Sequence, residues 1–172
     1  AAFADMLYSF SFPTRPPRPC EENGRDYVFV TAPEFEAGIR SGRWAEWARV
    51  HGNYYGTSAD VLAQSLSAGC DILLDIDVQG ARQICARFPE SVTIFIMPPS
   101  LEVLRQRLAS RGTDRPEVIA MRIENAGREM AQRDVYRHVV VNDDLETAIT
   151  ELIHLIASYR VTNQVDRLKA ED

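Results

Sequence analysis

Lysine is almost absent from this chain. The 172 residues contain 19 lysines and arginines, and every one of them except Lys169 is an arginine. A mechanism that needs a lysine in the interior of the chain is therefore excluded. The phosphate-loop pattern GxxxxGK[ST], whose lysine binds nucleotide phosphates, does not occur in the sequence. Any anionic ligand must then be held by a local cluster of arginines.

Cysteine and histidine are also scarce. The three cysteines are odd in number and show no CxxC spacing, which argues against a disulfide framework or a structural zinc site. A reducing cytoplasm is the expected location. The three histidines lie far apart and form neither HxxxH nor HExxH, so the sequence predicts no metal ligands among them.

Long apolar runs and excess positive charge are missing too. No stretch approaches 18 consecutive apolar residues, and no short apolar run follows a basic start, so neither a transmembrane span nor a secretory signal is expected. The net charge of −6 argues against non-specific binding to nucleic acid or to an anionic membrane. With 45% hydrophobic and 26% charged residues, the composition is typical of a globular protein of one domain.

The second half of the chain alternates apolar segments with helical patterns. This alternation predicts the α/β class, with a parallel sheet covered by helices on both faces. The predicted strands are 72–78, 92–97 and 139–141, and the predicted helices are roughly 80–88, 100–110, 116–131 and 144–160.

The first half has shorter elements. Strands are predicted at 27–30 and 43–50, and the capping-box spacings Thr31–Glu34 and Thr57–Asp60 each predict the start of a helix. Gly42 is the expected end of the first helix. These elements form a smaller insertion that we expect at one end of the sheet.

Four groups of residues could carry chemistry. The first is Ser11, Arg15, Arg18 and Tyr27, in which two arginines lie on a proline-stiffened loop at 13–19. Arginine forks match phosphate oxygens in bidentate geometry, and a stiff loop loses little entropy on binding. A solvated basic loop would have the same spacing, so both interpretations remain.

Glu46 and the run Gly52–Thr57 form the second group. One carboxylate can accept both N1–H and the exocyclic amine of guanine, and a nearby hydroxyl can donate to O6. Adenine lacks that donor pattern and would leave the carboxylate unpaired. A surface glutamate next to a turn is the alternative.

The third and fourth groups lie in the second half. Asp75 and Asp77 come at the end of an apolar strand, where period-two geometry places both carboxylates on one face and where ligands of such sheets bind. Arg111 lies on a glycine-bearing loop between two helices, from which a lid could bring charge to a phosphate. Arg122 is a second candidate, and the neighbouring arginines are expected on solvated helix faces.

Taken together, the sequence resembles the guanylate kinase family. The motifs that carry the resemblance keep their order and spacing from about residue 5 to about residue 160. They are Ser11–Arg18 (SFPTRPPR), Asn23–Tyr27 (NGRDY), Glu46-Trp47, Gly52–Gly56 (GNYYG), Leu74–Gly80 (LDIDVQG), Pro98–Ser100 (PPS), Ser110–Thr113 (SRGT) and Val141–Asp144 (VNDD).

The resemblance implies a transfer of the γ-phosphoryl group from ATP to GMP, with Mg²⁺, in purine nucleotide metabolism. It also implies one domain over 1–172, with a P-loop kinase-like parallel core at about 70–100 and 132–172. A β-rich GMP-binding region is expected at about 10–69 and a helical lid at about 101–131.

The resemblance further assigns roles to residues. The GMP phosphate would be held by Arg15, Arg18, Tyr27 and Tyr55, and guanine would be read by Ser11, Glu46, Thr57 and Asp75. Asp77 would lie in the phosphate–magnesium region. Arg111 and Arg122 would bind ATP from the lid and act, with Arg15, as the catalytic residues, while Asn142 would approach the adenine.

The sequence departs from the family at its start. The strand and phosphate loop that the family carries upstream of Ser11 do not occur, and Lys169 lies at the wrong end to replace the loop lysine. We therefore expect poor turnover of ATP by these residues alone, and expect them to be the retained part of a longer chain. Phe12-Pro13 and Cys20 are smaller departures beside the phosphate-binding arginines. The alternative function is a non-catalytic module that binds GMP or a phosphopeptide.

Overall fold

A computed structural model describes residues 2–112 and 114–170. The chain divides into two compact units, Ala1–Ser91 and Val92–Asp172. Thr113, the last residue of the SRGT motif, lies outside the described residues. No helix among those described is long and apolar enough to cross a membrane.

The first unit contains four strands and three helices. In chain order they are β1 (Leu7–Tyr8), α1 (Ala32–Ser41), β2 (Trp44–Val50), β3 (Asn53–Ser58), α2 (Ala59–Ser67), β4 (Ile72–Leu73) and α3 (Val78–Arg87).

The described residues of the second unit form two strands and three helices, with one 3₁₀ turn at Arg133–Val135. Its elements are β5 (Ile94–Met97), α4 (Leu101–Ser110), α5 (Pro116–Met130), β6 (His138–Val141) and α6 (Leu145–Ala170).

The strands form three two-stranded sheets. β1 pairs with β4 and β5 pairs with β6, both in parallel, whereas β2 and β3 form an antiparallel pair. Parallel strands alternating with helices confirm the predicted α/β class. The strand predicted at 72–78 is wrong in extent, because pairing with β1 stops at Leu73 and helix α3 begins at Val78.

The helix boundaries follow local capping chemistry. Thr31 caps α1, and Thr31 and Glu34 form both hydrogen bonds of the predicted capping box. Gly42 ends that helix with φ +72°, a conformation that glycine adopts without strain. The second capping box is wrong, because Ser58, not Thr57, caps α2. Thr57 is still paired within β3.

The segment at 27–30 is extended but does not form the predicted strand. Its amides at Val28 and Val30 donate to the carbonyls of Ser11 and Pro13, at 3.1 and 3.2 Å. The loop that contains Ser11 is tied on its other side to β3, since the amide of Phe12 donates to Gly56 at 2.9 Å. The proline-rich loop that carries Arg15 and Arg18 therefore begins from backbone that is hydrogen-bonded on both sides.

Each unit has its own core. In the first unit, Phe35 is fully buried between the rings of Trp44 and Tyr54, at centroid distances of 4.4 and 5.1 Å. Helices α2 and α3 close a second cluster over β2, where Ala45, Leu62 and Ile84 pack together. The buried residues of the second unit are Leu108, Ile123, Val140 and Ala148. Glu46 lies on β2, so the packing of α2 and α3 against this strand determines where its side chain is placed.

Candidate functional site

Arg15 is the centre of a cluster of side chains on the proline-rich loop. Its Nε donates to the Tyr55 hydroxyl at 3.0 Å, and its Nη1 and Nη2 donate to the two carboxylate oxygens of Glu21 at 2.5 and 2.7 Å. The guanidinium lies over the ring of Tyr27, 5.0 Å from its centroid. We call Arg15, Arg18, Glu21, Tyr27 and Tyr55 the arginine cluster.

Glu21 holds both arginines of the cluster. Besides the fork to Arg15, it accepts from the backbone amide of Arg18 at 2.8 Å and lies 3.4 Å from Arg18 Nη1. The hydrogen bond from Arg15 lowers the pKa of Glu21 to about 2, and the same bond raises the pKa of Arg15. Sequence reasoning missed this role, although a glutamate three residues after Arg18 was the available signal.

The two arginines differ in exposure. The Arg15 side chain is 11% exposed, and that of Arg18 is 36% exposed. Arg15 is held in one orientation by a neutral partner, Tyr55, and a charged partner, Glu21. The Arg18 guanidinium contacts Glu21 through Nη1, so its other donors can bind an incoming anion. The structure thus brings four of the predicted phosphate-binding residues into one cluster.

Glu46 occupies a second, buried site. It is 3% exposed and accepts a hydrogen bond from the Thr57 hydroxyl at 2.6 Å. Burial raises the pKa of Glu46, the hydrogen bond from Thr57 opposes that rise, and the nearby charge of Asp77 adds to it. A Cβ built on Gly80 would collide with the Glu46 carboxylate, so only glycine leaves room for that carboxylate against α3. We call Glu46, Thr57 and Gly80 the buried pocket.

A β-bulge sets the direction of Glu46. Trp44 pairs with Ser58 and Glu46 pairs with Thr57, so the register shifts by one residue between them. The extra residue of a bulge bends its strand and turns the following side chain. The Glu46–Thr57 pairing expected from the sequence is thereby formed across neighbouring strands.

The remaining predicted GMP residues lie in loops. Ser11 is half-buried, and its backbone carbonyl accepts from Val28. Asp75 is exposed in the loop after β4. Burial raises the pKa of the Tyr8 phenol, and the negative charge of Asp75 raises it further. Tyr27 contributes to the same shift of the Tyr8 pKa. Tyr8 was not predicted.

Asp77 differs from its predicted placement. It does not share a strand face with Asp75 but caps helix α3, where its Oδ1 accepts from the Gly80 amide at 2.8 Å. Its Oδ2 accepts from Gln79 Nε2 at 2.9 Å. The strand ends early because an aspartate at this position stabilises the start of a helix.

The second unit carries the other predicted residues. Arg111 is exposed at the end of α4, and Arg122 on α5 lies with its Nε 3.3 Å from Asp114 Oδ2. Asn142 directly follows β6. Arg107, an exposed residue of α4, donates to the carbonyls of Asn142 and Asp143 at 2.7 and 2.8 Å and so fixes that turn.

Comparison with known proteins identifies a family that this chain resembles over most of its length. The family model described as guanylate kinase matches residues 3–159. The chain is 48% identical over 160 residues to a guanylate kinase of Shewanella violacea, covering 93% of this chain and 77% of that protein. It is 50% identical over 144 residues to a guanylate kinase of Dechloromonas aromatica, covering 84% and 71%.

A solved structure agrees with these relatives. The crystal structure of guanylate kinase from Anaplasma phagocytophilum matches with a TM-score of 0.79 and 33% identity, covering 92% of this chain and 78% of that one. This match covers nearly the whole chain, and residues 3–159, which the family model matches, contain both the arginine cluster and the buried pocket. The chain belongs to the guanylate kinase family.

Proposed function

We propose that this protein transfers the γ-phosphoryl group of ATP to GMP, forming GDP and ADP. The observation that carries this proposal is a buried carboxylate, Glu46, hydrogen-bonded at 2.6 Å to Thr57 in the same unit as a preassembled arginine cluster. The membership of the chain in the guanylate kinase family supports the same activity.

The buried pocket supplies selectivity for guanine. Glu46 accepts N1–H and the exocyclic amine of the base, while Thr57, Ser11 and Asp75 contact its remaining polar edge. An adenine would offer Glu46 no donors beyond the Thr57 hydroxyl, and a desolvated carboxylate that lacks donors on one oxygen is costly.

The arginine cluster supplies binding and orientation of the phosphate. Arg18 binds the GMP phosphate through its open donors, and Arg15, Tyr27 and Tyr55 complete the contact. An oxygen of that phosphate then attacks the γ-phosphorus of ATP, a new P–O bond forms, and the bond to the ADP oxygen breaks. Because the nucleophile belongs to the substrate, the protein contributes positioning and neutralisation of charge.

The second unit supplies the ATP side of the reaction in this proposal. Arg111 and Arg122 neutralise charge on the transferring group, with Arg15 on the GMP side. Asn142 contacts the adenine from the turn that Arg107 holds. The exposed position of Arg111 beside Gly112, whose φ is +65°, suits a residue that moves onto its ligand.

Mg²⁺ enters this proposal with ATP. Among the described residues no group of three or more histidines, cysteines, aspartates or glutamates could hold a metal ion. Mg²⁺ in nucleotide sites is often bound largely through the nucleotide phosphates and water. Asp77 is the carboxylate proposed for this region, and it has lone pairs left beyond its two hydrogen bonds. When bound, the ion neutralises charge on the phosphates. A cytoplasmic location stays a prediction from the sequence.

Calorimetry with GMP and AMP tests the proposal. We expect GMP to bind and AMP to bind far more weakly, and equal affinities would contradict the guanine assignment. GDP formation from ATP and GMP is then measured on these residues alone and on a chain extended at its start by a strand and a GxxxxGK[ST] segment. Activity in the extended chain supports a kinase, whereas GMP binding without any GDP formation indicates a binding module.

A further inference from the structure

In the part of the chain that the structure describes, side chains and not another strand contact the outer edge of strand β2. On one edge, β2 pairs with β3 over its whole length. Its opposite edge faces helix α3, whose side chains reach the backbone of β2. Glu46 lies on this strand, so whatever fixes the outer edge also fixes the carboxylate.

Gln83 makes the most complete of these contacts. Its Oε1 accepts from the backbone amide of Trp47 at 3.2 Å, and its Nε2 donates to the carbonyl of the same residue at 2.7 Å. The carboxamide thus completes both backbone hydrogen bonds of one residue, as a neighbouring strand would. Nε2 also donates to the carbonyl of Gln79 at 3.2 Å, which fixes the side chain against its own helix.

The same face of α3 surrounds the bulge. Gly80 leaves room for the Glu46 carboxylate, and Ile84 packs against Ala45. Arg87 donates to the carbonyl of Ala45 at 3.4 Å, one residue before Glu46. Gly80, Gln83, Ile84 and Arg87 follow the spacing of a single helical face. The residues on either side of Glu46 are therefore both hydrogen-bonded to α3.

We propose that Gln83 is a positioning residue for the guanine-reading carboxylate: by fixing the outer edge of β2 at Trp47, it sets the direction of Glu46. This inference rests on the proposed function. Two parallel hydrogen bonds to the N1–H and the exocyclic amine of guanine require both carboxylate oxygens in the plane of the base. An edge strand with a bulge is otherwise free to twist, and a twist at Trp47 would misalign the oxygen that reads the amine.

Comparison of GMP with IMP tests this role directly. IMP carries the same phosphate and lacks only the exocyclic amine, so the ratio of the two affinities reports the contact with that amine, which the proposed function assigns to Glu46. We expect Gln83→Met, which keeps the length of the side chain and removes the amide, to weaken GMP binding about fivefold, as for the loss of one hydrogen bond. IMP binding should change by less than twofold, so that the GMP-to-IMP preference falls.

A matched variant and a second measurement complete the test. Gln64→Met on the exposed face of α2 makes the same chemical change away from β2 and should leave the preference unaltered. In the unaltered protein, hydrogen exchange at the Trp47 amide should be slower than at Arg49, whose amide points the same way along the edge.

The outcomes separate the two proposals. An unchanged GMP-to-IMP preference in folded Gln83→Met, or equal exchange at Trp47 and Arg49, would overturn the role of Gln83 while the guanine assignment stands. If the unaltered protein binds GMP no better than IMP or AMP, the guanine assignment itself fails and the role of Gln83 fails with it.

Discussion

The arginine cluster and the buried pocket each contain a glutamate, and their surroundings shift the pKa values of the two carboxyl groups in opposite directions. In the cluster, Glu21 is 14% exposed and pairs with Arg15 and Arg18, and the pairing lowers the pKa of its carboxyl to about 2. In the pocket, Glu46 is buried with a hydroxyl as its hydrogen-bond donor, and burial raises its pKa. One carboxylate stabilises a group of charges, whereas the other is left incompletely paired.

This difference teaches how the two regions contribute to binding. A glutamate that already has charged partners fixes the geometry of those partners, so its effect on a ligand is indirect. A glutamate that lacks donors gains them from the ligand, so its effect is direct and depends on which donors the ligand offers. We therefore expect the pocket to govern the choice of base and the cluster to govern affinity for the phosphate.

Replacement of Glu46 should give the largest effect. In Glu46→Gln, the new amide NH₂ faces one of the two guanine donors, so that hydrogen bond is lost. The substitution also removes the negative charge of the carboxylate, and each hydrogen bond to a charged group is worth roughly 1.5–3 kcal/mol. We expect GMP binding to weaken by about 100-fold or more, and the preference for GMP over AMP to disappear, both measured by calorimetry. Glu90→Gln, an exposed glutamate in the same unit, is the control and should bind GMP normally. If Glu46→Gln kept its preference for GMP over AMP, the assignment of base selection to the buried pocket would be contradicted.

Replacement of Glu21 should give the next effect, and only on ligands with a phosphate. Glu21→Gln removes the charged partner that orients Arg15, so we expect GMP to bind about 10-fold more weakly, within the range for one charge-assisted hydrogen bond. Guanosine binding should not change. The adjacent Glu22 pairs with Arg25 at the surface with 65% of its side chain exposed, so Glu22→Gln is a matched control expected to have no effect. An equal loss for GMP and guanosine would show that Glu21 supports the fold and not the phosphate site.

Arg18→Ala should have a smaller effect of the same kind. Arg18 is 36% exposed and keeps its contact with the phosphate partly in water, so we expect GMP binding to fall about fivefold. The loss should shrink as ionic strength rises, because salt screens exposed charges. Arg25→Ala, on the same loop but paired with Glu22, serves as the comparison. Calorimetry at two salt concentrations measures both, and a salt-independent loss would contradict the phosphate role.

The pH dependence of guanosine binding should show the smallest of these effects. Because the folded-state pKa of Glu46 lies above its ordinary value of 4.5, the carboxylate protonates earlier as the pH falls. Guanosine, which has no phosphate to titrate, should bind a few-fold more weakly as the pH falls from 7 towards that raised pKa. In Glu46→Gln this dependence should vanish.

The stability of the protein provides a further check on the same group. A carboxyl whose pKa is raised by folding binds more protons when folded, so its contribution to stability falls as the pH rises through that pKa. At pH 7 the Glu46→Gln variant should therefore unfold at a temperature no lower than the unaltered protein. A clear fall in its unfolding temperature would show that Glu46 is held for packing.

Much of the fold was predictable because it depends on local patterns. The capping box at Thr31 and Glu34, the glycine at Gly42 and the apolar strand at 139–141 each act over a few residues, and the structure confirms them. The capping box predicted at Thr57 failed for a tertiary reason. Its hydroxyl is required by Glu46 on the neighbouring strand, and the next residue, Ser58, caps the helix in its place.

The site residues were found by type and spacing, but their partners were not. Arg15, Arg18, Glu46 and Thr57 belong to short motifs, so their chemistry is visible in the sequence. Glu21 lies three residues after Arg18, a spacing that suggests a contact with Arg18, but nothing in the sequence indicates its fork with Arg15. Gln83 lies 36 residues from Trp47, and no local pattern connects a helix side chain with the edge of a distant strand.

The sequence by itself determined which chemical groups the protein has for binding a nucleotide: arginines in place of lysine, one glutamate suited to guanine, and strands alternating with helices. Only the tertiary structure decided the electrostatic state of those groups. Burial and hydrogen bonding depend on neighbours brought together from distant parts of the chain, and they lower the pKa of Glu21 while they raise that of Glu46. Two glutamates with the same side chain are therefore expected to have different roles, because Glu21 is paired with arginines and Glu46 is buried away from water.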